Sequence, residues 1–209
     1  NIRNLCQANR LVALNDIYHI YIPNEMSVEV YSKLYLAMLR SLQKKSTNTA
    51  IQQQYVNMGK NLAVDTQGVI GGSDCFTVIG KSGIGKSATI SRAVSLISEK
   101  GIIELDSPYL KVVPCIVVQC PFDCSSKGLL LEILRSIDSF IGTNHFEKAL
   151  KTRTTADMML SKVAQVLLNH VGLLIVDEIQ NVVHHRNGRQ LVAMLTQLIN
   201  SSGISICMV

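Results

Sequence analysis

The sequence predicts an α/β fold, a doubly wound parallel sheet covered by helices on both faces, and three observations predict it. Near-continuous apolar runs at 75–79, 112–119, 173–177 and 204–209 have the length and β-branched content of strands buried on both sides. Between them lie longer stretches whose apolar positions recur every three or four residues, the period of a helix with one buried face. Strand and helix alternate along the chain, as crossover connections between parallel strands require.

Each element has its own justification. Residues 1–30 mix short apolar pieces with Pro23 and polar turns, and predict only an extended segment at 17–22. From Val30 onward, Tyr31, Leu34, Tyr35, Met38 and Leu42 set one apolar stripe along a helix. Residues 44–48 break it, and a more polar helix is predicted over 49–61. Gly68, Gly71 and Gly72 make a loop before the first strand, 75–79. A helix over 86–99 follows, with Ile90, Ala93, Val94 and Ile97 facing inward and Gly101 as its stop. In the second strand, 112–119, Pro114 pushes the start later or to an edge. Ser125 and Ser126 offer N-caps for a strongly apolar helix that ends at Ile141 before Gly142. Thr154 or Thr155 caps the next helix, to His170, and Gly172 leads into the third strand, 173–177. A helix over 188–200 and a strand over 204–209 complete the alternation. The chain therefore divides into a partly helical N-terminal extension, residues 1–65, and a core, residues 66–209.

Composition narrows the class. Of 209 residues, 47% are hydrophobic and 17% charged, which excludes a disordered tail. No apolar run reaches the ~18 residues of a membrane helix, so no membrane partner is expected. The first ten residues lack a charged-then-apolar leader, which predicts a cytoplasmic setting. Cys115, Cys120 and Cys124 cluster, but their intervals match no common zinc spacing. A net charge of +5 permits an anionic partner without identifying one.

The sharpest signal is Gly80-Lys81-Ser82-Gly83-Ile84-Gly85-Lys86-Ser87, which fits G-x-x-x-x-G-K-[ST] at every fixed position. It follows a strand and opens a helix. Glycines let the main chain curl so that successive amides point at an anion, and the helix start, through Ala88, adds unpaired N–H groups and the positive end of its dipole. Lys86 is placed to neutralise β and γ phosphates, and Ser87 to offer its hydroxyl oxygen to magnesium. The complement is an acid at the end of a buried strand, and Leu173-Leu174-Ile175-Val176-Asp177-Glu178 supplies two. Asp177 suits the metal's water shell; Glu178 suits a general base for an attacking water. A whole strand and its helices separate loop from acid pair, which favours ATPases with an additional strand between those motifs.

These motifs, the continuation Asp177-Glu178-Ile179-Gln180-Asn181, the stretch Val117-Val118-Gln119-Cys120 followed by Ser125-Ser126-Lys127-Gly128-Leu129, and the leading Ile22-Pro23 with its downstream helix together resemble the AAA+ transposition ATPases of the TniB/TnsC type. The resemblance runs from about Tyr18 to Val209. It implies a P-loop AAA+ core with sheet order 5-1-4-3-2, ATP and Mg as ligands, and ATP-dependent homo-oligomers holding nucleotide between subunits. It implies duplex DNA bound with little sequence preference, transposase and target-selection proteins as partners, and a bacterial cytoplasm. By motif position Lys86 and Ser87 take the loop roles, Asp177 the metal role and Glu178 the catalytic role. The chain is expected to stop before that family's strand 5, arginine finger and helical lid, leaving the phosphate-loop strand at an edge and hydrolysis slow. The alternative is an ATP-dependent signalling or scaffold P-loop module with protein partners only.

Basic residues are scattered, and none forms a block that declares a nucleic-acid arm. Lys127, in the first turn of a helix after the second strand, is a candidate for a DNA-backbone contact, with Lys151 and Arg153 as companions; an ordinary exposed lysine is the alternative. Gln119, ending the second strand, either holds Glu178 away from water or is a satisfied strand-end amide. Residues 20–23 are the candidate for adenine.

Overall fold

The computed structural model describes residues 6–15, 20–47, 51–52, 74–106, 109–151 and 155–209. Arg153, most of the polar helix predicted over 49–61, the glycine loop before residue 73 and part of the extended piece at 17–22 lie outside them.

Five strands form one sheet: β1 (Cys75–Thr77), β2 (Ile103–Asp106), β3 (Tyr109–Gln119), β4 (Val171–Asp177) and β5 (Ser205–Met208), in the order β1-β5-β4-β3-β2. β1, β5, β4 and β3 are parallel, in the spatial order 1-4-3-2 that the resemblance implies; β1 is an edge strand among the described residues. β2 is an addition. It pairs antiparallel with β3 from Ile103↔Val112 to Asp106↔Tyr109, and its short run with Glu104 and Asp106 carried no buried-strand signal. That register ends at Val112, so Pro114 lies where β3 has no β2 neighbour to lose a bond to, and the proline is accommodated inside a long strand. On the other side β3 and β4 approach so closely that a Cβ at Gly172 would sit 2.6 Å from the Pro114 carbonyl oxygen.

Helices α1 (Gln7–Asn15), α2 (Glu25–Lys45), α3 (Lys86–Ile97), α4 (Ser126–Ile141), α5 (His145–Lys151), α6 (Ala156–His170), α7 (Asn181–His184) and α8 (Gly188–Ser202) complete the described chain. α1 buries no residue, which is why no periodic signal announced it. α2 starts five residues earlier than its apolar stripe because Asn24 and Ser27 form a reciprocal cap: Ser27 N donates to Asn24 Oδ1 (2.8 Å) and Asn24 N to Ser27 Oγ (2.6 Å). Its buried face is Val30, Leu34, Ala37 and Met38; Tyr31 and Tyr35 stack on each other at its margin, ring centroids 5.9 Å apart. α4 and α6 begin where the sequence places their caps, at Ser125 and Thr155.

The sheet separates two apolar layers, and strand alternation assigns each residue to one. Cys115, Leu173, Ile175 and Cys207 face α2 and α3. Ile116, Val118, Leu174, Val176 and Ile206 face α4, α6 and α8. β4, mid-sheet, is buried from Val171 to Val176. α2 is thus a layer of the core, also tied to it by the Ser205 hydroxyl donating to the Ala37 carbonyl (3.0 Å) and by Arg40–Asp74 (2.9 Å). Lys45, its last residue, is buried and donates to the carbonyls of Leu167 (3.1 Å) and Leu168 at the end of α6; burial pushes its ammonium down to about 7. No helix among the described residues is long and apolar enough to cross a membrane.

Candidate nucleotide site

A parallel sheet delivers the ends of its strands to one edge, and here β1 and β4 deliver different chemistry to the same place with β5 between them. β1 gives way to the glycine-rich loop, whose Gly83 and Gly85 lie at φ +81° and +92°, a region that a side chain would strain. Gly85 caps α3 without a side chain, so the first amides of the helix have no side-chain acceptor and can serve an anion. Lys86 folds back over the loop, donating to the carbonyls of Gly80 (2.9 Å) and Lys81 (3.2 Å).

At the end of β4, Asp177 is half-buried and Glu178 exposed. The Asp177 carbonyl accepts from Cys120 N (2.8 Å), and its carboxylate Oδ1 accepts from Glu178 N (2.8 Å). That second bond accompanies a left-handed Glu178, φ +61°, which a non-glycine residue adopts at a cost. The next peptide is fastened to the sheet by Ile179 N donating to the Val209 carbonyl (2.9 Å).

Loop and acid pair line one cavity of about 760 Å³. Gly80, Ser82, Gly83, Gly85, Lys86, Ser87 and Ala88 form one wall, and Asp177 and Glu178 form the other with Gln180. Of the residues expected at the phosphates, Lys81 and Ile84 lie off this wall: Lys81 offers its carbonyl to Lys86, and Ile84 is half exposed. Ser87 and Asp177 both line this cavity and carry a hydroxyl and a carboxylate, the oxygen donors a magnesium ion takes, so the residues fit that ion.

The other candidates lie apart from this cavity. Lys127 is exposed in the first turn of α4; Lys151 is exposed and paired with Glu147 at 3.7 Å. Gln119 stands in register with Asp177 and lines a neighbouring cavity that Glu178 also lines, but the bond recorded at the Glu178 carboxylate comes from Gln180 Nε2. Of residues 20–23, Tyr21 packs on the helix that carries Ser87, its hydroxyl 3.1 Å from Thr89 Oγ1, while Ile20 and Ile22 are exposed. Sequence reasoning gave Gln180 no role. Its position two residues past an acid was the only signal, and nothing in a residue count shows that a turn will bring the side chains together.

The model of a protein family described as the AAA domain matches residues 66–209, which take in the glycine-rich loop, the acid pair and every strand. No curated protein matches the chain. With that match over most of its length, and a phosphate loop and acidic strand end in one cavity of a parallel sheet, this chain belongs to the AAA domain family and carries a P-loop nucleotide-binding domain.

Proposed function

We propose that the chain binds Mg-ATP in the cavity between the glycine-rich loop and β4, hydrolyses it, and uses that cycle to regulate DNA transposition. The observation that carries the first part is the convergence of Lys86, Ser87, Asp177 and Glu178 on one cavity. The loop amides and the start of α3 hold the phosphates, and Lys86 exchanges its two carbonyl partners for phosphate oxygens. Ser87 and Asp177 hold magnesium, which when bound offsets the charge of the phosphate oxygens. Glu178 takes the proton of the attacking water. The base is assigned to residues 20–23, of which Tyr21 lies 3.1 Å through its hydroxyl from Thr89 Oγ1 in the helix that carries Ser87.

The DNA part rests on the resemblance to transposition ATPases and on Lys127, which is exposed in the first turn of α4. Under this reading ATP drives homo-oligomers onto duplex DNA with little sequence preference, transposase and target-selection proteins dock on the assembly, and hydrolysis releases it. Two measurements test it. Calorimetry is expected to give Mg-ATP uptake that Lys86→Ala weakens at least about tenfold, the loss of a charge-assisted contact. Retention on random duplex is expected to depend on ATP, with a salt slope smaller by about one unit in Lys127→Ala. No uptake of Mg-ATP would overturn the nucleotide reading; DNA retention indifferent to ATP would leave a P-loop module with protein partners.

A further inference from the structure

Cys120 and Cys124, whose spacing suits no common zinc site, meet in the fold. Cys120 directly follows β3, and Cys124 precedes Ser125, the cap of α4. Both are buried, at 4% and 1% exposure, and the Cys120 thiol is in hydrogen-bond contact with the Cys124 side chain. A turn brings them together: Cys124 N donates to the Pro121 carbonyl (2.9 Å), and Cys124 is left-handed at φ +50°. Glycine is the low-cost residue there, so the thiol stands at that point at a backbone cost. The segment is also tied to its neighbours. Cys120 N donates to the Asp177 carbonyl (2.8 Å), Asn181 Nδ2 to the Cys120 carbonyl (3.3 Å), and Asn187 Nδ2 to the Asp123 carbonyl (3.3 Å). Fixed backbone therefore presents the two sulfurs to each other. Cys115 and Cys207 belong to the other apolar layer, under α2 and α3, with the sheet between. Cys120 lines the open cavity of about 930 Å³ that Phe122 also lines, which gives a small reagent a way in.

We infer that Cys120 and Cys124 are a reversible oxidation site, a dithiol that exchanges with small-molecule disulfides of the glutathione type and closes a bond across the segment joining β3 to α4. The Cys120 sulfur, having given up its proton, attacks one sulfur of the small disulfide and expels the other as a thiolate, leaving a mixed disulfide on Cys120. The Cys124 sulfur then loses its proton and attacks the Cys120 sulfur, expelling the second small thiolate. The two protons end on the two released thiols, so one small disulfide is reduced as the protein pair is oxidised. Burial pushes the Cys120 thiol up to about 11, so exchange is slow and what the fold contributes is read at equilibrium. A bond that the native fold favours over the unfolded chain stabilises that fold by the same factor. The site needs no nucleotide and stands apart from the reading of the phosphate cavity.

The test uses the full chain carrying Cys6→Ser and Cys75→Ser, which removes the exposed thiols. It is brought to equilibrium with mixtures of reduced and oxidised glutathione, both natively and in denaturant, quenched in acid and mapped by mass spectrometry. The native protein is expected to lose two hydrogens and to link Cys120 to Cys124, a bond that excess reduced glutathione reopens. Its equilibrium constant is expected to be at least about tenfold larger in the folded chain than in the denatured one, because the fold holds the sulfurs in contact. Adding Cys124→Ser is expected to abolish the loss of hydrogens. Absence of the link, a link to Cys115 or Cys207 in its place, a constant no larger in the folded chain, or a loss of hydrogens that survives Cys124→Ser overturns the inference. Each of those outcomes leaves the nucleotide site untouched.

Discussion

Glu178 and Lys86 illustrate how far a residue type in a pattern reaches. The loop pattern and the two acids after an apolar run pointed to phosphate and magnesium chemistry, because those ligands call for such groups at strand ends. What they left open was the company each side chain keeps: Lys86 on two loop carbonyls, Glu178 in a left-handed conformation bonded to Gln180. Such contacts depend on torsions that a sequence does not print. If Glu178 is the base, Glu178→Gln is expected to slow single-turnover hydrolysis by about a hundredfold or more, the usual contribution of a general base. Calorimetry on the same variant is expected to find Mg-ATP affinity within about twofold of wild type. A loss of binding equal to the loss of rate would make Glu178 a binding residue instead.

Among the elements, those with a buried stripe and a cap were legible and those without were not. α4 is the clearest: its apolar face is fully buried at Leu129, Leu130, Ile133, Leu134 and Ile137, and Gly142 ends it at φ +77°. Ser125 Oγ accepts from Gly128 N at 3.1 Å, the bond that fixes where the helix starts. Ser125→Ala is therefore expected to lower unfolding free energy by about 1 kcal/mol in chemical denaturation. Lys127→Ala, on the exposed side of the same turn, is expected to leave it unchanged. That pair of results would separate the cap from the charge. Helix α1 buries nothing, α5 has seven residues, and β2 exists through its hairpin partner, so none had a period long enough to read. The stripe of α2 was read largely as it stands, with Val30, Leu34 and Met38 buried and Tyr31 and Leu42 packed beside them; Tyr35 is the exception, exposed and stacked on Tyr31 at the margin.

At the scale of the molecule, Lys45 joins the layer of α2 to the end of α6, and its burial makes folding sensitive to pH. Its ammonium titrates at about 7 when folded against 10.5 when free, so between those values the unfolded chain binds the proton more and stability rises with pH. Half-buried His145 and His170 are held below the ordinary histidine value by desolvation, so their contribution is nearly complete by about pH 7. The thiols of Cys75, Cys115, Cys120 and Cys207, all pushed up by burial, act in the opposite sense where free thiols ionise. Denaturation between about pH 7 and 8, below the range where free thiols ionise, thus reads Lys45, with an expected gain of about 1 kcal/mol. Lys45→Met is expected to flatten that rise; an unchanged slope would refute the assignment. The chain order of apolar runs was enough for the parallel sheet, since a strand buried on both faces is apolar throughout and a crossover helix is amphipathic, and both are local patterns. Which strand neighbours which, how α2 covers the sheet, and how β1 and β4 bring a phosphate loop and two acids to one cavity arise from packing between residues far apart in the chain. Their free energy belongs to pairs of surfaces, and no single segment carries it.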